Sequence, residues 1–159
     1  MIVPVYRLEK VRSKHAHQVV VFTCGTYDLL HYGHVQFLEW CKQQGDVLYV
    51  AVNSDRLTRL RKGPTRPLVH EHDRLRMVDA LKVVDYVSLK KKAPNSRLAS
   101  MITAERLQPD IIVLGHDWAA DELEEWHERF PDTTIIVGPE REPGRSTTAI
   151  IETVRERHA

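Results

Sequence analysis

Two histidines three residues apart, His31 and His34, flank Gly33 in the stretch FTCGTYDLLHYGH. Residues at that spacing share one face of a helix, so a helix opening here presents both imidazoles on the same side. A helix start offers free backbone N–H groups and positive potential, and two imidazole donors add directed hydrogen bonds; together they suit an anionic phosphate. Gly25 closes the apolar run before this turn, and Thr26 and Tyr27 follow it. A second candidate seat lies in REPGRSTTAII, where Ser146 and Thr147 suit the cap of a final helix over about 146–157. Arg141 and Arg145 set two guanidiniums beside that helix start, an arrangement that favours the outer phosphates of a polyphosphate. A third lies in GHDW, Gly115 to Trp118, where Asp117 supplies a carboxylate and Trp118 a ring that stacks on a base or packs in the core. The plainer uses of the first two are a structural histidine pair capping a helix and two solvated arginines.

The elements that must position these residues are legible from hydrophobic spacing. Short runs rich in valine and isoleucine recur at 18–23, 46–52, 85–89, 110–115 and 133–138, and read as buried strands. Between them, 33–44, 72–83 and 96–108 carry helical spacing. Parallel strands need crossovers, and crossovers are almost always right-handed, so this alternation predicts an α/β fold: a doubly wound, five-stranded parallel sheet flanked by helices. In such sheets ligands bind at the carboxyl ends of the strands where the chain order reverses, which would bring the His31 turn and GHDW together. Residues 1–17 are polar and basic and read as an N-terminal extension, loose or helical against the body, with a single domain over 18–159.

Composition narrows the function classes. The chain has 159 residues, with 23 lysines and arginines against 22 acidic residues and a net charge of +1. That balance lacks the strong positive field of a general nucleic-acid binder. No apolar run approaches the roughly 18 residues of a membrane span, and residues 1–17 have no apolar core of a signal peptide, so a cytoplasmic protein without a membrane partner is expected. Two cysteines, Cys24 and Cys41, read as reduced thiols. Nine histidines include H-x-H at 15 and 17 and H-E-H at 70–72, but further ligands are absent from their neighbourhood, so no permanent metal site is expected. Lys90, Lys91 and Lys92 form a charge run that reads as a solvated face.

The stretch H-x-G-H after G-T-x-D-L-L-H resembles the signature of the nucleotidyltransferase superfamily, which includes the small cytidylyltransferases, such as the glycerol-3-phosphate enzyme, and the adenylyltransferase domain that activates heptose 1-phosphate. VNSD, KGPTRPLVHEHDR, ALKVVDYV and the carboxyl-terminal GRSTTAII match the pattern in the same order, from about Val19 to Val154. The resemblance implies a Rossmann-like fold and a Mg2+-assisted transfer of a nucleoside monophosphate from CTP or ATP to the phosphate or phosphonate of a small molecule. It implies that His31 and His34 contact the triphosphate, with Arg141, Arg145, Ser146 and Thr147 as the second phosphate seat. Lys62, with Arg61 and Arg66, resembles a mobile basic loop over the triphosphate, and Arg74 and Lys82 fall at acceptor-binding positions. Asp28 and Asp117 are the candidate carboxylates for magnesium, which binds mainly through nucleotide phosphates. His116 departs from the family's G-D-D-W and G-G-D-Y. REPG and the tryptophan of GHDW favour CTP; PGRSTTAII, VNSD and KGPTRP favour ATP, and the balance is set at CTP. The alternatives are ATP with a sugar 1-phosphate and a non-catalytic nucleotide-sensing module. Similar small enzymes are commonly homodimers, which is the expectation here.

Overall fold

The computed structural model describes residues 1–90, 93–140 and 142–158. Five strands, β1 Val20–Gly25, β2 Val47–Asn53, β3 Tyr86–Lys90, β4 Ile111–Leu114 and β5 Thr134–Val137, form one parallel sheet in the order β3-β2-β1-β4-β5. The apolar runs are strands because both faces of the sheet are covered: every residue of β2 is buried, as are Val20, Val21 and Phe22 of β1. One face carries Phe22, Tyr49 and Ile112 into a core shared with Met101, Leu107 and Trp126; the other carries Val21, Val50 and Val113 against Leu38, Leu75 and Val78.

Among the described residues seven α-helices complete the layers: α1 Leu8–Lys14, α2 Tyr32–Lys42, α3 Asp55–Lys62, α4 Glu71–Asp79, α5 Ser96–Leu107, α6 Ala120–Arg129 and α7 Thr147–Arg157. Helix α3 corrects the sequence reading, which leaves Lys62 in a loop. Ser54 caps α3 by accepting the Leu57 amide at 3.3 Å, Leu57 and Thr58 are buried, and Lys62 is its last residue. Gly63 then turns the chain out at φ +93°, a backbone region that favours glycine, with its amide on Arg59 O at 2.9 Å.

Residues 1–17 lie against the body. Val3 and Met1 exchange backbone hydrogen bonds with Val87 of β3, and α1 places Leu8 and Val11 in the core. Among the described residues no helix is long and apolar enough to cross a membrane.

Strand β1 has β2 on one side and β4 on the other, so the chain reverses its direction of growth beside β1. The two strands' carboxyl ends splay their connections apart there and leave the crevice in which the fold takes ligands.

Candidate active site

A cleft of about 340 Å³ occupies this crevice, within the range of small-molecule sites. It is lined by the β1 turn, the first turns of α2, the end of α3, the β4 loop and the approach to α7.

The turn after β1 is tight because its side chains are spent holding it. Tyr27 and Leu29 stand at φ 55° and 48°, conformations that non-glycine residues hold only when the surroundings over-determine them. Asp28, 1% exposed, supplies much of that determination. Its carboxylate accepts from Arg66 Nε at 2.8 Å and from the Leu68 and Val69 amides at 3.0 and 2.9 Å, while its carbonyl accepts from Thr147 Oγ1 at 2.8 Å. Burial alone would push the Asp28 carboxyl up; the Val69 and Leu68 amides and the Arg66 guanidinium outweigh it and hold it below the usual carboxylate value. With both oxygens so occupied, Asp28 does not fit the role of magnesium ligand that the resemblance implies.

His31 is the N-cap of α2, and the His31 and His34 rings stack with centroids 3.8 Å apart at 25°. His34 Nδ1 accepts from the His31 amide at 3.4 Å, which leaves the neutral ring's proton on Nε2, a donor. The Tyr27 ring meets His34 edge-on at 5.3 Å. Gly33 between the histidines is fixed by close approach: a Cβ there would stand 2.8 Å from Arg145 O and 3.2 Å from the His31 ring. The loop before α7 is thereby pressed onto the start of α2.

Across the cleft, the Asp117 carboxylate lies over Gly115, where a Cβ would meet Asp117 Oδ1 at 2.7 Å. Asp117 is exposed on the wall, and Trp118 rests edge-on against the buried Trp126 at 5.9 Å. Arg61 at the end of α3 lies 4.9 Å over the Trp118 ring, with Lys62 beside it on the cleft wall. The structure thus gathers Gly25, Thr26, Tyr27, Gly33, His34, Lys62, Gly115, Asp117, Trp118 and Thr147 on one cleft, with His31 stacked on His34.

Other expected residues fall elsewhere. Arg74 is wholly buried: Nε donates to Val69 O at 2.8 Å, one terminal nitrogen to Thr26 O, and the other pairs with Asp55 at 2.8 Å. It braces the cleft from behind, and its burial keeps it out of reach of an acceptor molecule. Lys82 is exposed in the turn before β3, at the amino end of the sheet, whereas the cleft is at the carboxyl end. Arg145 does not itself line the cleft: it lies over the Tyr32 ring at 4.8 Å and binds Gln36 Oε1 and Glu142, two residues of the cleft rim, at 2.7 and 2.8 Å. Ser146 caps α7, accepting the Ala149 amide at 3.1 Å. Arg141, Lys91 and Lys92 lie outside the described residues. Lys90 is not solvated: it is 2% exposed, hydrogen-bonded to Ser100 Oγ, and burial pulls its ammonium below the usual lysine value.

Sequence reasoning passed over Asn53, Gln36 and Phe37, which also line the cleft, and gave Trp40 to packing, though it stands on the same wall. Asn53 carried one signal, a polar side chain at the carboxyl end of an otherwise apolar strand.

Comparison with known proteins shows the family and the fold. A family model described as cytidylyltransferase-like matches residues 22–153. The chain is 38% identical over 151 residues to the bifunctional protein HldE of Helicobacter pylori strain P12 and 37% identical over 144 residues to that of Methylobacillus flagellatus. It spans only 31% and 27% of those relatives' lengths, against 95% and 87% of its own. Among solved structures it is similar to a lipopolysaccharide core biosynthesis protein from Thermoplasma volcanium, with a TM-score of 0.66 and 31% identity over 79% of this chain and 99% of that one. A pantoate-beta-alanine ligase from Francisella tularensis shares the fold at TM-score 0.65 and 18% identity, covering 96% of this chain and 72% of that one. The family model covers well over half of the chain, and the chain belongs to the cytidylyltransferase-like family of nucleotidyltransferases.

Proposed function

We propose that the chain transfers AMP from ATP to the phosphate of a sugar 1-phosphate. The observation that carries the reading is the His31–His34 stack at the amino end of α2, opening on the same cleft as Lys62. An acceptor phosphate oxygen attacks the α-phosphorus, the bond from that phosphorus to the bridging oxygen breaks, and pyrophosphate leaves. Positioning the two reactants and stabilising charge on the phosphoryl oxygens are what the protein must supply. The His34 Nε2–H and the α2 amides donate to those oxygens, and Lys62 balances the departing charge. Asp117, exposed on the wall, is the carboxylate that fits a magnesium ion carried in on the phosphates, and such an ion would add charge neutralisation there.

The base preference rests on kinship. VNSD, KGPTRP and GRSTTAII resemble the heptose 1-phosphate adenylyltransferase domain, and the HldE relatives weigh the same way, which moves the balance from CTP to ATP. CTP is the second reading, favoured by Trp118 on the cleft wall and by REPG.

Pyrophosphate release with magnesium, measured for ATP and CTP separately against sugar 1-phosphates, glycerol 3-phosphate, phosphocholine and a phosphonate, tests the proposal. Release with ATP and a sugar 1-phosphate is expected, and CTP-only release moves the chain to the second reading. His34→Ala should lower kcat by about 10²- to 10³-fold with the melting temperature retained. Nucleotide binding without turnover across the panel would leave a sensing module instead.

A further inference from the structure

Asn53 ends β2 and is 3% exposed, and it lines the cleft. Its Nδ2 donates to Thr26 Oγ1 at 3.2 Å, but its Oδ1 is buried and accepts no hydrogen bond among the described residues. A buried carbonyl oxygen without a donor is costly, and the few such groups in folded proteins concentrate where function needs them. Nothing in the brace to Thr26 requires a second, unanswered amide atom; a threonine or serine would give a hydroxyl there without one.

The place of Asn53 says which reactant answers it. In the order β3-β2-β1-β4-β5, β2 lies on the side of β1 away from β4 and β5. Gly115 to Trp118 and the approach to α7 wall the β4 and β5 side, where Trp118 offers a stacking ring. With the nucleoside there and its phosphates at the start of α2, the β2 and β3 side is left to the acceptor. Arg61 and Lys62, at the end of the helix that follows β2, bring positive charge to the cleft. A hydrogen-bond acceptor set in a positive field fits a molecule that carries a hydroxyl beside an anionic phosphate.

We propose that Asn53 Oδ1 accepts a hydrogen bond from a hydroxyl of the acceptor, so that the chain selects polyol and sugar phosphates over phosphate monoesters without a hydroxyl. The inference rests on the nucleotidyl-transfer reading. It makes Asn53 a specificity-determining residue, since a site built to pair with a hydroxyl discriminates strongly against an analogue lacking it.

The test compares wild type and Asn53→Ala in pyrophosphate release with α-D-mannose 1-phosphate and glycerol 3-phosphate as hydroxyl-bearing acceptors and with ethyl phosphate and phosphocholine as hydroxyl-free ones. ATP affinity is measured by calorimetry and the fold by thermal melting; if the alanine variant does not fold, Asn53→Ser is used. The expected result is a rise of about tenfold in acceptor KM, a smaller gap between the two acceptor classes, and an ATP Kd within about twofold of wild type. An unchanged acceptor KM overturns the inference. So does an ATP Kd weakened as much as the acceptor KM, which would reduce Asn53 to a brace for Thr26, and so does wild-type turnover of ethyl phosphate as efficient as that of mannose 1-phosphate. Silence of the wild type with every acceptor overturns the nucleotidyl-transfer reading itself, and this inference with it.

Discussion

Asp28 joins two segments about forty residues apart: one carboxylate holds Arg66 and the Leu68 and Val69 amides against the β1 turn. The ionised form accepts all of these bonds, so the folded-state value is held below that of the unfolded chain. Stabilisation from a depressed carboxyl is therefore fully present above the unfolded value of about 4 and is lost as pH falls through the folded value. Asp28→Asn should cost about 2 kcal/mol at pH 7, the scale of hydrogen bonds to a charged group. The gap from wild type should narrow in urea titrations carried below about pH 4; a gap independent of pH would show that the charge is irrelevant. The sequence discloses an acidic residue in the first turn and nothing of the 66–69 loop folded over it, which is why the metal-ligand reading fails. Arg74 misleads in the same way. Its type suggests an anion contact, while its partners Thr26, Asp55 and Val69 come together only in the folded chain.

Helix α2 shows how far element-scale reasoning reaches. Its start is set by local rules, with His31 in extended backbone as N-cap and His34 turned back onto the His31 amide, so the sequence spacing placed the imidazole pair correctly. Gly33 follows a longer-range constraint. In a helix, glycine to alanine ordinarily stabilises by about 1 kcal/mol, but a Cβ at Gly33 would press on Arg145 O at 2.8 Å, a backbone atom of a neighbouring segment. Gly33→Ala should therefore destabilise by about 1–3 kcal/mol, as overpacking does, and should weaken ATP binding by displacing the loop before α7. Melting and calorimetry read the two effects; a stabilised variant would mean that the approach is not tight. Helix α3 eluded the sequence reading because RLRKGPTRP carries charge and turn residues, and its apolar contribution is essentially Leu57. Its cap, Ser54, was the legible signal.

At the scale of the whole molecule, a doubly wound sheet needs both faces covered, and the number of strands was countable from five apolar runs. What covers each face was less legible, because a short amphipathic segment before the first strand looks like a tail. The face of β1 and β2 that carries Phe22, Tyr49 and Ala51 is closed in part by α1, where Leu8 is fully buried and Val11 is 6% exposed. Those residues complete a core that α5 and α6 share. Leu8→Ala removes most of a buried side chain and should cost about 2–5 kcal/mol, seen as a lower urea midpoint with the slope unchanged. The cleft lies at the carboxyl ends of the strands and takes no lining residue from α1, so turnover per folded molecule should stay near wild type below the transition. Near-neutral stability in this variant would make residues 1–17 a dispensable extension. The expected loss makes them one wall of the domain, since nothing else among the described residues fills the place of Leu8 beneath the sheet.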